Sequence, residues 1–157
     1  AAYLAFARGE GDEIPSLVDL SAILSDVVTS ARRNGIVIDL HIESSIPVAL
    51  RSLAFKRCLT NLIENAGQYA DHVSIRVGQR DQVIEIIIDD DGPGIPEKSR
   101  GDAFKPFYRL ENSRNPETGG VGLGLSIARD IVRGHGGDIF LSESPAGGLR
   151  AKLTLPL

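Results

Sequence analysis

The sequence holds a single cysteine, Cys58, among 157 residues. A disulfide framework within the chain is therefore excluded, and a reducing compartment suits it. Cys58 stands in an apolar helical run, where a thiol behaves as a small buried hydrophobe. No apolar stretch nears the roughly 20 residues that a membrane-spanning helix needs, and no signal-peptide pattern is present. Basic excess is lacking too. The 17 Lys and Arg against 21 Asp and Glu leave a formal charge of −4, so the bulk balance points away from nucleic acid. Internal repeats and low-complexity tracts are missing. Methionine is absent, and the chain opens at Ala1 in what reads as mid-helix; we expect a segment excised from a longer protein. What is present, 42% hydrophobic and 24% charged residues, is the make-up of one globular domain with a short appendage.

Residues 1–8 (AAYLAFAR) read as the end of a helix, broken by Gly9, Gly11 and Pro15. A linker there divides 1–13 from a domain over 14–157. Residues 20–33 carry one apolar stripe at helical spacing: Leu20, Ile23, Leu24, Val27, Val28 and Ala31. Asn34-Gly35 stops that helix. Alternation of Ile36, Ile38, Leu40 and Ile42 with Val37, Asp39, His41 and Glu43 predicts a strand, and 48–51 suit a short second one. A second long helix is expected over 53–70. Val73, Ile75 and Val77 begin a strand that turns at Arg80-Asp81-Gln82 and returns over 83–90. Residues 91–120 are too long and irregular for an ordinary connection, which suggests a ligand-linked loop. A third helix over 122–133 and a hairpin of 139–143 with 149–155 close the chain. Strands and helices mix without strict alternation, so the fold class is α+β, with helices on one face of a mixed sheet.

Three segments carry chemistry. On the helix through Asn61-Leu62-Ile63-Glu64-Asn65-Ala66-Gly67-Gln68-Tyr69, Leu59, Leu62, Ile63, Ala66 and Ala70 share a core face. Asn61, Asn65, Gln68 and Tyr69 cluster on another, while Glu64 points away from both asparagines and belongs to the surface. Asparagine is a poor helix former; two of them one turn apart offer neutral oxygens to a hard cation such as Mg²⁺. A polar, solvent-facing stripe fits this helix alone equally well. In the strand over 83–90, alternation puts Asp90 on the face of Ile84, Ile86 and Ile88. An acid continuing an apolar face is costly unless it meets a donor. The following Gly92-Pro93-Gly94 frees the backbone for close approach, and such a carboxylate suits the exocyclic amine of adenine. A polar strand end before an ordinary turn is the plainer alternative. Last, Gly119-Gly120-Val121-Gly122-Leu123-Gly124-Leu125-Ser126 leads into a helix whose N-terminus suits phosphate. It is neither a P-loop nor a dinucleotide fingerprint, since no Gly-Lys-Ser/Thr follows and Leu125 stands where a third glycine belongs.

Taken in order, these segments resemble the N, G1 and G2 boxes of sensor histidine kinases. The G1-like run is Asp90-Asp91-Gly92-Pro93-Gly94-Ile95, and Phe104-Lys105-Pro106-Phe107-Tyr108-Arg109 resembles the F box between them. The likeness covers about residues 17–157 and is greatest to the osmosensor EnvZ class. It implies a Bergerat-type ATP fold: a two-layer sandwich of three helices on a mixed, mostly antiparallel sheet of about five strands. It further implies that Asn65 ligates Mg²⁺ with Asn61 beside it near the phosphates. Tyr69 would pack against adenine, Asp90 would accept its amino group, Gly92 and Gly94 would shape the base pocket, and Ile95 would belong to the ATP site. The backbone of Gly120, Val121, Gly122, Leu123, Gly124 and Leu125 would meet phosphate. Residues 109–119 would form a lid based on Phe104 and Phe107. Gln68 departs from the family, which commonly has Lys or Arg there; Lys105, Arg109 or Arg114 are the candidate replacements.

The resemblance implies a reaction and its partners. The intact enzyme would pass the ATP γ-phosphate to a histidine on its own dimerisation domain, then to an aspartate of a response regulator. His41, His72 and His135 all lack the acceptor context. Tyr3 to Arg8 resembles the end of the second helix of that dimerisation domain, so residues 1–13 would end it and 14–157 would be the catalytic domain. The chain alone is expected to be monomeric, the full-length protein a homodimer, and this part cytoplasmic beneath an inner-membrane sensor. Hydrolysing relatives of the gyrase, MutL and Hsp90 types place a carboxylate four residues before the metal asparagine. Here that place holds Asn61, which cannot act as a general base, so slow ATP hydrolysis is expected. An ATPase clamp and a degenerate, non-catalytic module are the competing readings.

Overall fold

The computed structural model describes residues 13–106 and 124–157. Strand β1 (Ser16–Asp19) runs into helix α1 (Leu20–Arg33), followed by β2 (Val37–Ile42), β3 (Pro47–Leu50) and helix α2 (Ser52–Tyr69). Then come β4 (His72–Arg80), β5 (Val83–Asp90), two single 3₁₀ turns at Glu97–Ser99 and Asp102–Phe104, helix α3 (Gly124–Gly134), β6 (Asp138–Glu143) and β7 (Leu149–Pro156). Five strands form one sheet in the order β2-β4-β5-β7-β6. Only β2 and β4 pair in parallel; the other neighbours are antiparallel. A parallel pair needs a long crossover, and the stretch holding β3 and α2 supplies it. The expected α+β sandwich is what forms.

Local sequence explains most of these elements. All six residues of the predicted α1 stripe are buried. Asp19 caps the helix by accepting the Ser21 N–H at 3.0 Å. Asn34 and Gly35, the latter at φ +92°, end it. In β5 and β7 the residues Ile84, Ile86, Ile88, Ala151, Leu153 and Leu155 form the inner face against the helices. The outer face bears charge. Arg150 grips Asp89 through two bonds of 2.7 and 2.8 Å, and Glu85 meets Lys152 at 2.8 Å and Arg80 at 3.2 Å. Phe55 of α2 is wholly buried in the core; truncating such a ring to alanine costs about 3–5 kcal/mol.

Two features were not anticipated. β1 is a strand, and it pairs with β3 in a separate two-stranded sheet. Nothing in its pattern announces this: Leu17 is 75% exposed, and the pairing partner lies far along the chain. Ala70, placed on the core face of α2, is instead its C-cap, in extended conformation and half-buried. The expected helix end at residues 1–8 lies outside the described residues. Among those described, no helix is long and apolar enough to cross a membrane.

Candidate functional site

Asp90 is the last residue of β5 and is only 6% exposed. Strand alternation brings it to the inner face, as its phase with Ile84, Ile86 and Ile88 requires. No cation meets it among the described residues; it is held by backbone instead. Gly92 N–H and Leu149 N–H both donate to Oδ1, each at 3.0 Å, and Oδ2 takes part in neither bond. Burial pushes the carboxyl above the usual aspartate range. The two amide bonds oppose that rise, and the neighbouring charges of Asp91 and Asp89 add to it. A buried acid with one oxygen fixed by amides and the other outside both bonds is a preorganised acceptor for an incoming N–H donor.

The loop after Asp90 is shaped around backbone. A Cβ at Gly92 would stand 2.6 Å from the Tyr69 carbonyl oxygen, so only glycine lets this loop lie on the end of α2. Gly94 adopts φ +73°, which disfavours any side chain. Asp91 fastens the same corner. Its Oδ1 accepts the N–H of Asp71 and His72 at 2.8 and 3.0 Å, and its Oδ2 lies 3.1 Å from His72 Nδ1. The backbone bond from His72 is the largest of the causes that hold the Asp91 carboxyl below its usual range. Tyr69 ends α2 at 37% exposure, and Ile95 packs half-buried against the core.

Asn61 and Asn65 are half-buried on α2, whereas Gln68 and Glu64 are exposed. The start of α3 faces the first of these: a Cβ at Gly124 would lie 3.9 Å from Asn61 Cβ. The two helices also touch where Cys58 Sγ meets the Ala128 carbonyl oxygen at 3.6 Å, which agrees with a buried, structural thiol. Phe104 is half-buried against the core, with the Arg129 guanidinium 3.9 Å above its ring. Arg129 is in turn bonded to Asp138 at 3.0 Å, so Phe104 is anchored to α3 and β6. Lys105 is exposed and paired with Asp102 at 2.8 Å. Phe107, Arg109, Arg114, Gly120, Val121, Gly122 and Leu123 lie outside the described residues.

A family model described as histidine kinase-, DNA gyrase B-, and HSP90-like ATPase matches residues 51–157. The chain belongs to this ATPase family. Its curated relatives include the sensor histidine kinase GtrS of Pseudomonas aeruginosa, 36% identical over 139 residues, which are 88% of this chain and 28% of GtrS. The chain thus spans less than a third of that relative's length. Among solved structures, the mycobacterial sensor histidine kinase MprB matches at a TM-score of 0.80 with 26% identity, over 91% of this chain and 97% of that one. The histidine kinase domain of the E. coli osmosensor EnvZ matches at 0.71 with 33% identity, over 94% and 92%. The resemblance to sensor histidine kinases and the expected sandwich fold are both borne out.

Within this family frame, sequence reasoning missed one residue at the site. Gly148 lies between the two strands of the expected closing hairpin, yet a Cβ on it would fall onto Asp90 Oδ1 and the Asp90 carbonyl oxygen, and 2.7 Å from Gly92 N. Gly148 is what lets β7 deliver the Leu149 N–H to Asp90. A glycine just before a strand paired to the acid's own strand was the available signal. The donor set for a metal is also informative. Asn61 and Asn65 are neutral, and among the described residues no three His, Cys, Asp or Glu side chains gather as a metal site. Such amide oxygens fit Mg²⁺ in the company of phosphate oxygens that balance its charge.

Proposed function

We propose that this ATPase-family domain binds ATP with Mg²⁺ between the end of β5, α2 and α3. In the intact sensor kinase it donates the γ-phosphate to a histidine of the dimerisation domain, for relay to a response-regulator aspartate. Asp90 Oδ2 accepts the adenine amino group, while Tyr69, Ile95 and the backbone of Gly92 and Gly94 surround the base. Asn65 would offer its amide oxygen to the metal, with Asn61 beside it near the phosphates, where its amide N–H can donate. Gly124 and Leu125 offer backbone at the start of α3, where the helix dipole favours phosphate. Bound Mg²⁺ supplies neutralisation of the charge that develops on the phosphates during transfer. The observation that carries this reading is the buried carboxyl of Asp90, with both backbone bonds on one oxygen. A calorimetric titration with a nonhydrolysable ATP analogue tests it. One site per chain, tighter with Mg²⁺ than without, is expected; no binding would sink both the ATP assignment and the kinase role.

Asn61 favours the kinase over a hydrolytic clamp. An amide where a general base would stand predicts slow steady-state ATP turnover, and rapid turnover by this chain would reverse the preference. Supplying a separate dimerisation domain with labelled ATP should yield acid-labile phosphohistidine. The parent is further proposed to be membrane-anchored, with this domain on the cytoplasmic side of the inner membrane. The parent is proposed as a homodimer and this chain as a monomer.

A further inference from the structure

Helix α2 begins without a cap of its own. Arg51 holds the N-cap position and makes no side-chain cap bond, where Ser, Thr, Asp or Asn is usual. The acceptor is borrowed from Glu13, 39 to 41 residues upstream. Glu13 Oε2 takes the Leu53 N–H at 3.0 Å and lies 3.3 Å from Ser52 Oγ, and Oε1 takes the Ala54 N–H at 3.1 Å. Burial tends to raise the Glu13 carboxyl, but the bonds from Leu53, Ala54 and Ser52 outweigh it and hold the group below its usual range. Its negative charge also meets the positive end of the helix dipole.

The same point reaches the second helix of the proposed site. Arg51 Nε donates to the Glu13 carbonyl oxygen at 2.9 Å, and Nη1 lies 3.5 Å from the Gly134 carbonyl oxygen at the end of α3. Arg51 N–H donates to His135 Nε2 at 3.0 Å, while His135 Nδ1 stands 2.7 Å from the Ile131 carbonyl oxygen. A backbone donor on one ring nitrogen and a carbonyl on the other select the neutral tautomer protonated on Nδ1. The ring also meets Phe55 of α2 edge-on at 5.6 Å. One cluster therefore ties the incoming segment at Glu13 to the start of α2 and the end of α3. Asn61 and Asn65 ride on the first helix, and Gly124 and Leu125 open the second.

We propose that Glu13 is a positioning residue for the nucleotide. Seated on α2, it holds the two helices in the mutual setting that ATP requires; taken from that seat, it releases that setting and weakens binding. This rests on the nucleotide site proposed above. By linkage, nucleotide must in return strengthen the hold on Glu13.

The test titrates the nonhydrolysable ATP analogue with Mg²⁺ against the 157-residue chain and its variants, and follows amide exchange. Glu13→Ala is expected to weaken binding about fivefold to fiftyfold, a common range for coupled sites. Glu13→Gln keeps one acceptor oxygen but sets an amide NH2 against the second backbone donor, so its affinity should fall between those of Glu13→Ala and the unaltered chain. Asp19→Ala removes the comparable cap of α1 and should cost similar melting temperature with affinity held within about twofold. In the unaltered chain, nucleotide should slow exchange of the Leu53 and Ala54 amides. Equal affinity in Glu13→Ala, equal weakening by Asp19→Ala, or unchanged exchange at Leu53 and Ala54 would each overturn the role. The last readout needs no variant, so it stands even where Glu13→Ala does not fold. An unaltered chain that takes no nucleotide would overturn the site itself, and with it this role.

Discussion

Asp89 and Asp90 are neighbours on β5, and the strand turns them to opposite faces. Asp89 looks outward and is gripped by both arms of the Arg150 guanidinium, the geometry that gives carboxylates their strongest partners. Its charge is spent within the fold. Asp90 looks inward, meets two backbone amides on one oxygen, and has its carboxyl pushed up by burial. The two acids differ in their neighbours, not in their chemistry. A satisfied ion pair on the sheet's outer face marks structure; an inward acid held by amides alone marks a place made for a ligand's donor.

The sharpest attempt to break this contrast is Asp90→Asn. It keeps the shape and the Oδ1 acceptor but turns the other atom into a donor facing an adenine amine. Nucleotide affinity should fall about 100-fold or more, while the melting temperature holds or rises; a variant that loses its fold along with its binding would refute the contrast. Next is Gly148→Ala, whose Cβ cannot coexist with Asp90 as placed. It should cost about 1–3 kcal/mol of stability and weaken nucleotide as well, measured by urea melts and titration. Arg150→Met leaves Asp89 without its guanidinium and should cost about 1–2 kcal/mol. Affinity should stay within about twofold, and adding Asp89→Asn should return part of the loss.

Smaller effects sharpen the picture. Gln68→Lys restores a cation at an exposed position and should tighten ATP about threefold to tenfold at low salt, fading as salt screens it. A variant that binds no better would remove Gln68 from the site. The smallest effect is a pH dependence. Asp90 has a raised folded pKa, so its contribution to stability is most favourable below the unfolded value and is lost as pH rises through the folded one. Asp90→Asn should therefore be more stable than the natural chain near neutral pH. That advantage should vanish as pH falls through the Asp90 pKa, which lies above the ordinary 3.8. Urea melts at neutral and acid pH read it directly.

Much of this was legible in the residues. The α1 stripe, the stop at Asn34-Gly35, the core face of α2 around Leu59, Leu62, Ile63 and Ala66, and the inward phase of Asp90 all appear as expected. Each is a consequence of local periodicity, and period fixes facing before any partner is known. β1 was illegible, because Ser16–Asp19 has one half-buried side chain and becomes a strand only by pairing with β3. Glu13 was illegible for a similar reason. It reads as one acid in a Gly-rich break, and its task appears only when the uncapped start of α2 arrives beside it.

The sequence by itself determined the helices, their buried faces, the inner-face position of Asp90 and the order of the four boxes. These depend on repeats of two and 3.6 residues and on neighbours along the chain. Only the tertiary structure decided which Asp90 oxygen the backbone would occupy, why Gly148 must lack a side chain, and what caps α2. Those outcomes join groups distant in sequence, Asp90 and Leu149 being 59 residues apart. No local pattern encodes which remote amide will meet a buried carboxylate, because that depends on how the sheet and helices close around it.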